Sequence, residues 1–497
     1  MGYEYMVDII NDLSPRCVIQ KAAQMGATVA ALLQAFWNLD QRKVSTLYLL
    51  PNQADASDFS AGRVTPLIES SEHLTKMFDD VSNVGHKRAG TLNLYVRGSN
   101  SRSRLKNIPV GHLVIDEFDE MHRGVEDSAR QWDAVSMARE RMSGQETKTE
   151  LDLSTPSVPD TGINAEWKGS QQQHYHWQCG ACGKWVRFEW PDSIEWIEGK
   201  PETARRRCTA CKAPLTGTNH GGKWIADYPD RILPGWHLSQ MFSPTVSPAE
   251  IVAAFEGAQG KEFEFQEFHN SKLGLPYVAK GARVSAEDIA ACVDQNRVIG
   301  TWPGDAPQWM GIDVGARIHW EAATWDGTRK VVLGAGEVED FDALGHVIRE
   351  RSPVAYVIDA NPETRQARAL IETFRQGWMC YYPAAMREII VPNADQRTVN
   401  AHRTATLDIT LGRFRTGPNA VSLPRDLPQS YGIQIAAPVR RLLKDRTGNY
   451  VGRYVETGPD HYAHAANYCE VAHGLVPHAV APMATAGVED GGAVYHW

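Results

Sequence analysis

Four groups of residues in this sequence have the types and spacing to do chemistry. The first is Lys21-Ala-Ala-Gln24-Met-Gly26-Ala27-Thr28. A phosphate cradle of the form G-x-x-x-x-G-K-[ST] needs Lys between Gly and Thr, where its ammonium reaches the terminal phosphates. Ala27 stands there instead, and the available cation is Lys21, five residues before Gly26. A helix N-terminus with free backbone N–H groups already binds phosphate, so a cation need only reach the site from some nearby position. The loop therefore reads as a rewired nucleotide site, a broken one, or a plain helix start. The second group decides between nucleotide and helix start. In HLVIDEFDE an apolar run leads into adjacent carboxylates, Asp116 and Glu117. Such a pair can set one carboxylate beside a metal-bound water and the other beside an attacking water, the division that phosphoryl transfer requires.

The third group is CGAC at 179–182 and CTAC at 208–211, separated by twenty-five residues. Four thiolates in two small-residue turns suit one tetrahedral Zn²⁺ per chain, with every ligand position filled, so its role is structural. His174 and His176 stand nearby, but four thiolates leave them as bystanders. The fourth group is Asp313 after MGI, Asp359 after YVI and Asp460 in GPDHYAHAANY. Three carboxylates delivered by distant segments can hold two divalent ions, Mg²⁺ or Mn²⁺, for phosphodiester hydrolysis. His461 or His464 is a possible added ligand, and Asp460, His464 and Asn467 lie near one face at helical spacing.

The elements that must position these groups form two α/β series. Up to about residue 160, short β-rich runs (CVIQKAA, STLYLLP, TLNLYVRG, HLVIDEF, TELDLSTP) alternate with helical stretches, which implies a mostly parallel sheet with covering helices. A Trp-, Gly- and Cys-rich segment, 168–228, reads as an inserted zinc-ribbon-like module. The second series begins at QWMGIDV. These shifts predict a first domain at 1–285, a linker at 286–305, a second domain at 306–480 and a flexible tail at 481–497.

Composition narrows the setting. A chain of 497 residues exceeds one core. The N-terminus lacks the order of a signal peptide, and no stretch reaches the ~20 apolar residues of a membrane span, so a soluble intracellular protein is expected. The eight cysteines suit a reducing compartment. Net charge is -9, yet residues 397–453 hold ten Lys/Arg against three Asp, the footprint of a polyanion-binding face.

The order Lys21–Thr28 loop, Asp116-Glu117, Ser154-Thr155-Pro156, paired C-x-x-C and Asp-bearing α/β domain resembles the large terminase subunit of tailed bacteriophages, the branch similar to the lambda packaging protein. The family loop reads K-S-A-Q-x-G-K-[ST]; Lys21, Gln24, Gly26 and Thr28 match, and Ala27 departs. The resemblance implies an ATP-driven motor that packages double-stranded viral DNA into a procapsid, and an endonuclease that cuts the concatemer. It implies a P-loop ATPase followed by a ribonuclease H-like nuclease, with ATP and Mg²⁺ as cofactors. Thr28 and Asp116 would serve Mg²⁺, Glu117 would be the general base, and Ser154 to Pro156 the coupling motif. Asp313, Asp359 and Asp460 match the nuclease acids, and Arg403, Thr404 and Asp408 a further family segment. The implied partners are DNA, a small terminase subunit and a capsid portal protein carrying a homo-oligomeric ring, in the host cytoplasm with no membrane. An arginine completing charge neutralisation is expected of such motors, and Arg97, Arg102 and Arg104 are offered for it or, equally, for lining the DNA path; Tyr3 and Tyr5 are the aromatic residues available to clamp adenine. The rival readings are a zinc-ribbon DNA-stimulated ATPase or helicase without nuclease activity, and a nuclease with a vestigial ATPase.

Overall fold

The computed structural model describes residues 3–78, 81–121, 133–215, 221–279, 281–300, 306–383, 386–444 and 450–479. It divides into two compact units, Met1–Lys280 and Gly281–Trp497.

The first unit is built on a sheet whose central strands are parallel. Arg16–Lys21 lies between Gly235–Leu238 and Thr149–Ser154, and His112–Asp116 lies between Thr149–Ser154 and Thr46–Leu50. These strands are buried almost throughout because both faces are covered, and the polar residues they carry are buried with them. Alternation along each strand then assigns the faces. Ile19, Tyr48 and Val114 pack with Ala27, Ala30 and Ala31 of helix Ala27–Asp40. Val18, Leu47, Leu49, Leu113 and Ile115 pack on the other side with Ala134, Val135 and Ala138 of helix Ala134–Glu140. By the same parity, Lys21 and Asp116 project to the face of helix Ala27–Asp40.

The cysteine-bearing segment, which lies in sequence between strands Thr149–Ser154 and Gly235–Leu238, is joined to this sheet. Strand Gln173–Gln178 runs parallel to Gly235–Leu238 and pairs antiparallel with Lys223–Ala226 and Trp185–Arg187, so the module extends this sheet at one edge. Only the Ile194–Ile197/Lys200–Arg206 hairpin forms a separate small sheet.

The second unit has a mixed sheet. Trp309–Val314 pairs antiparallel with Ile318–Asp326, which pairs with Arg329–Val338; on its other side it pairs parallel with Ala355–Asp359. Met310, Ile312, Tyr356 and Ile358 face helices Phe341–Arg351 and Thr364–Thr373. Trp309, Ala355 and Val357 face helix His461–Ala479 through Tyr468, Cys469 and Ala472. The stretch expected as a linker carries helix Ala286–Cys292 and strand Val293–Asp294, the latter paired with Val421–Pro424 of the second sheet. The serine and aspartate of a capping box, Ser285 and Asp288, start that helix. Residues 301–305 of the expected linker and the expected tail at 481–497 lie outside the described residues. No helix among the described residues is long and apolar enough to cross a membrane.

Three histidines of the first unit are packed as neutral rings. Burial, opposed by bonds to Thr149 for His112 and to Leu273 and Gly274 for His237, brings each to about 4. Burial and the neighbouring His237 bring His174 to about 3. Below pH ~6.5 the unfolded chain takes up protons that these folded rings refuse, so their contribution is complete above that pH and is lost as pH falls towards 4. Each accounts for up to about 2 kcal/mol between pH 6.5 and 5. The melting temperature of the first unit should therefore fall between pH 7 and 5, and His237→Gln should reduce the fall. A melting temperature flat across that range would contradict this.

Candidate nucleotide, thiolate and nuclease sites

The loop after Lys21 turns through two left-handed residues, Gln24 at φ +59° and Gly26 at φ +82°. Gly26 is the N-cap of helix Ala27–Asp40. A Cβ at position 26 would only touch the Tyr3 ring, at 3.4 Å, so it is the left-handed turn that calls for glycine here. Ala22 and Ala23 donate their N–H groups to the carbonyls of Leu238 and Ser271 at 2.7 and 2.8 Å. In the first turn the Val29 N–H already donates to the Gly26 carbonyl at 3.1 Å, which leaves the N–H groups of Ala27 and Thr28 to face a ligand.

Lys21, 6 % exposed, sets its Nζ 2.6 Å from Glu117 Oε1 and 3.9 Å from Asp116 Oδ1. Asp116 accepts from Thr28 Oγ1 at 3.0 Å and from Tyr48 OH at 2.8 Å. Glu117 sits at φ +61°, an unfavourable conformation for a non-glycine residue that turns its side chain out of the strand. Burial opposes the Lys21 charge, but Glu117 and Asp116 outweigh it and raise its pKa. Burial raises Asp116, with Lys21 acting against it. A cavity of about 640 Å³ opens here, lined by Lys21, Gln24, Gly26, Ala27, Thr28, Asp116, Glu117 and Thr155 on its polar side and by Tyr3, Met6 and Ile10 on its apolar side.

Ser154 ends the strand between those of Lys21 and Asp116, opposite Gln20. Its Oγ accepts from the N–H of Asp119 at 3.2 Å, and Asp119 in turn accepts from Ser157 Oγ at 2.6 Å and from the N–H of Ile163 at 2.6 Å. Asp119 thus ties the turn after Glu117 to the turn holding Thr155 and Pro156. Tyr5 differs from its expected use: it is buried and donates to the Met25 carbonyl at 3.0 Å, supporting the loop from behind. Arg97, Arg102 and Arg104 do not line the cavity, whereas Arg63 does. Arg63 belongs to the helical turn Ser60–Val64, a stretch with no motif to mark it.

The four cysteines converge. Cys179 and Cys211 sulfurs lie 3.7 Å apart, and Cys182 and Cys208 sulfurs 3.9 Å. A tetrahedral site with ~2.3 Å metal–sulfur bonds has sulfurs about 3.8 Å apart. Each pair closes with a left-handed residue, Gly183 or Lys212, whose neighbouring bonds Gly183 N–H to Cys179 O and Lys212 N–H to Cys208 O repeat the same turn. Backbone N–H groups of Cys182 and Ala181 hold the Cys179 thiol down to about 7. His174 and His176 stay outside the cluster.

In the second unit, strand parity brings Asp313, Asp359 and His319 to the face covered by helix His461–Ala479. Gly311 makes that covering close: a Cβ there would lie 2.0 Å from the Ala465 carbonyl and 2.1 Å from the Cys469 nitrogen. Asp313 is buried and its Oδ2 is 2.9 Å from His461 Nδ1. His319, directly opposite Asp313 in the sheet, stacks on His461 with ring centres 4.6 Å apart. Ligand atoms of Asp313, His319 and His461 lie within 4.8 Å of one another. Among the described residues, Asp359 and Asp460 do not join Asp313 in such a group. Burial and Asp313 push Asp359 up to about 7. Asp460 is 3.4 Å from His464, which contacts Arg403 at 3.1 Å. Asn467 is structural: fully buried, it bonds Tyr382, Thr406 and Thr410. Asp408 likewise accepts from Arg440 and Tyr454 at 2.9 and 2.8 Å.

The basic stretch is largely engaged within the fold. Arg413 pairs with Glu470, Arg440 with Asp408 and Arg403 with Glu456, while Arg397, Arg415 and Arg425 donate to the carbonyls of Ile371, Gly281 and Gln295. Arg453 is exposed, and Asp445 and Arg446 lie outside the described residues.

These features define a P-loop-type ATPase joined in one chain to a ribonuclease H-like nuclease. Residues 3–224 match the family model described as "Phage terminase large subunit gpA, ATPase domain", and residues 233–337 match "Terminase large subunit gpA, endonuclease domain". The chain belongs to the large terminase subunits of phages, and is the ATPase and metal-dependent endonuclease that packages viral DNA and cuts the concatemer. The fold is similar to that of the HK97 bacteriophage large terminase, at 10 % identity and TM-score 0.53, covering 92 % of this chain and 91 % of that one. Further likenesses are to the Thermus phage P74-26 large terminase ATPase domain (14 % identity, TM-score 0.32, 53 % of this chain and 88 % of that one) and to the large terminase nuclease of phage G20c (12 %, 0.26, 38 % and 98 %). No curated protein matches the chain. Nothing in these matches favours an ATPase or helicase lacking the nuclease.

Because Gly311 sets the approach of helix His461–Ala479, Gly311→Val should lower the melting temperature, by about 1–3 kcal/mol or more of stability. It should also remove plasmid cleavage while ATP turnover persists. Wild-type cleavage with an unchanged melting temperature would contradict the assignment.

Proposed function

We infer that Lys21 is the phosphate-binding cation of the packaging ATPase and that Ala27 marks a rewired cradle. The observation that carries this is the buried Lys21 ammonium, 2.6 Å from Glu117 and on the cavity wall shared with Gly26 and Thr28. The phosphates of ATP lie against the first turn of helix Ala27–Asp40, and the base side of the nucleotide lies against Tyr3, Met6 and Ile10. Thr28 and Asp116 would hold a Mg²⁺ ion, which would supply charge neutralisation at the phosphate oxygens. The Thr28 and Tyr48 hydroxyls keep Asp116 aimed at that position. Glu117 accepts the proton of the attacking water once Lys21 has turned from it to the phosphate. Arg63, on the same cavity, adds a second cation as charge develops. Ser154 and Thr155 sense the site through Asp119, which spans the turns after Glu117 and Ser154.

Cys179, Cys182, Cys208 and Cys211 hold one Zn²⁺, whose spacing requirement their sulfurs already meet. The closed thiolate set makes it a folding element. In the second unit, Asp313, Asp359 and Asp460 stand at ends of one sheet and one helix, near enough in field for Asp313 to raise Asp359. They suit divalent ions, Mg²⁺ or Mn²⁺, which would relieve that repulsion. Family membership supports the remaining assignments: a small terminase subunit and a portal protein as partners, a ring of copies on the portal, the lambda-like branch, and the host cytoplasm.

Lys21→Ala should abolish ATP turnover and leave plasmid cleavage near wild type. The double change Lys21→Ala/Ala27→Lys should restore part of the turnover, since Ala27 lines the same cavity. Wild-type turnover in Lys21→Ala protein would overturn the assignment.

A further inference from the structure

The carboxylates account for only one side of Asp313. Its other side faces two imidazoles: His461, which the sequence offers as an added ligand, and His319, which has no role in the reading above. His319 is directly opposite Asp313 across the antiparallel pair, so its side chain emerges on the same face of the sheet. His461 begins the helix that covers this face and stacks on His319 at an interplanar angle of 17°. One ligand atom from each of Asp313, His319 and His461 falls within 4.8 Å of the others.

A structural explanation of His319 leaves one atom unaccounted for. The residue is 4 % exposed, and its Nε2 faces Glu337 Oε2 at 3.3 Å. Its Nδ1 is buried and makes no hydrogen bond of normal geometry among the described residues, although the Arg317 backbone also acts on the ring. A buried ring nitrogen without a well-formed bond is open to a ligand. The arrangement also has the outer support that metal-bound histidines use: one ring nitrogen is turned to a carboxylate, Glu337, which orients the ring.

We propose that Asp313, His319 and His461 form a mixed imidazole–carboxylate site for a transition-metal ion, so that Asp313 is shared between this ion and the carboxylate side of the nuclease centre. The ligand set is two nitrogens and one oxygen. Imidazole suits Mn²⁺, Co²⁺ and Zn²⁺, whereas Mg²⁺ takes oxygen ligands and keeps its waters. The nuclease of this chain is thereby tuned towards Mn²⁺-like ions, and His461, at the exposed end of the helix, completes the site from the solvent side. The inference rests on the reading that Asp313 belongs to the metal centre of the nuclease.

The test uses the full chain with its cysteine site loaded with zinc, titrated with Mn²⁺ in the absence of nucleotide. Pulsed electron paramagnetic resonance of the bound Mn²⁺ should show coupling to imidazole ¹⁴N. His319→Gln and His461→Gln should each remove part of that coupling and weaken Mn²⁺ binding by about tenfold or more, since loss of an outer partner alone costs ~10–100-fold. His461 is partly exposed, so its variant keeps the fold even where His319→Gln does not. Mn²⁺ that binds in an Asp313-dependent manner without nitrogen coupling overturns this proposal and leaves the carboxylate reading standing. Mn²⁺ binding unaffected by Asp313→Ala overturns both.

Discussion

The first unit depends on one buried ion cluster, the ammonium of Lys21 between Asp116 and Glu117. Two adjacent carboxylates at the end of a fully buried strand would repel each other and be poorly solvated. Lys21 relieves both, and the Thr28 and Tyr48 hydroxyls satisfy the remaining lone pairs of Asp116. The cation comes from the strand that feeds the loop, so its Cα is fixed by the sheet. A lysine at position 27 would instead ride on the first turn of the helix. On the proposed assignment, the resting state holds the phosphate cation on the general base, so binding of a polyanion and release of Glu117 are opposed ends of one exchange.

The second unit depends on a steric constraint. Helix His461–Ala479 can lie on strand Trp309–Val314 only because position 311 has no side chain. That approach brings Asp460 and His461 over the strand end where Asp313, Asp359 and His319 emerge. Behind them the buried pair Lys330–Glu321, at 2.7 Å, with Tyr431 donating to the same carboxylate, fills the region between strands and helix. Asn467 locks the helix to Thr406 and Thr410. Polar residues one and two turns into this helix therefore divide into those at the strand ends and those that fasten it.

Local features were legible in the sequence. The Lys21–Thr28 loop, the Asp116-Glu117 pair, the four cysteines and the two α/β series each depend on short-range spacing, and the fold and family agree with that reading. What escaped depends on pairings between distant segments. His319 reaches Asp313 only through its register opposite it, and Arg63 reaches the cavity only through the placing of a helical turn beside the loop. The edge pairing of the cysteine module is also non-local: Gln173–Gln178 joins the main sheet through Gly235–Leu238, about sixty residues away. The basic run read as a DNA-binding face because charge counting cannot see partners. In the fold, Arg413, Arg440 and Arg403 meet Glu470, Asp408 and Glu456. Tyr5 failed as an adenine clamp for the same reason, since burial under the loop is not a local property.

The exchange of Lys21 between Glu117 and phosphate is tested most directly by measuring the affinity of ATP for Glu117→Gln protein against wild type, with the fold checked by melting temperature. Removing the charge of Glu117 leaves Lys21 held less firmly at rest, so the account predicts ATP binding several-fold tighter, as loss of a charged partner worth about 1 kcal/mol would give, together with loss of turnover. ATP binding that is unchanged or weaker in a folded Glu117→Gln protein would contradict it.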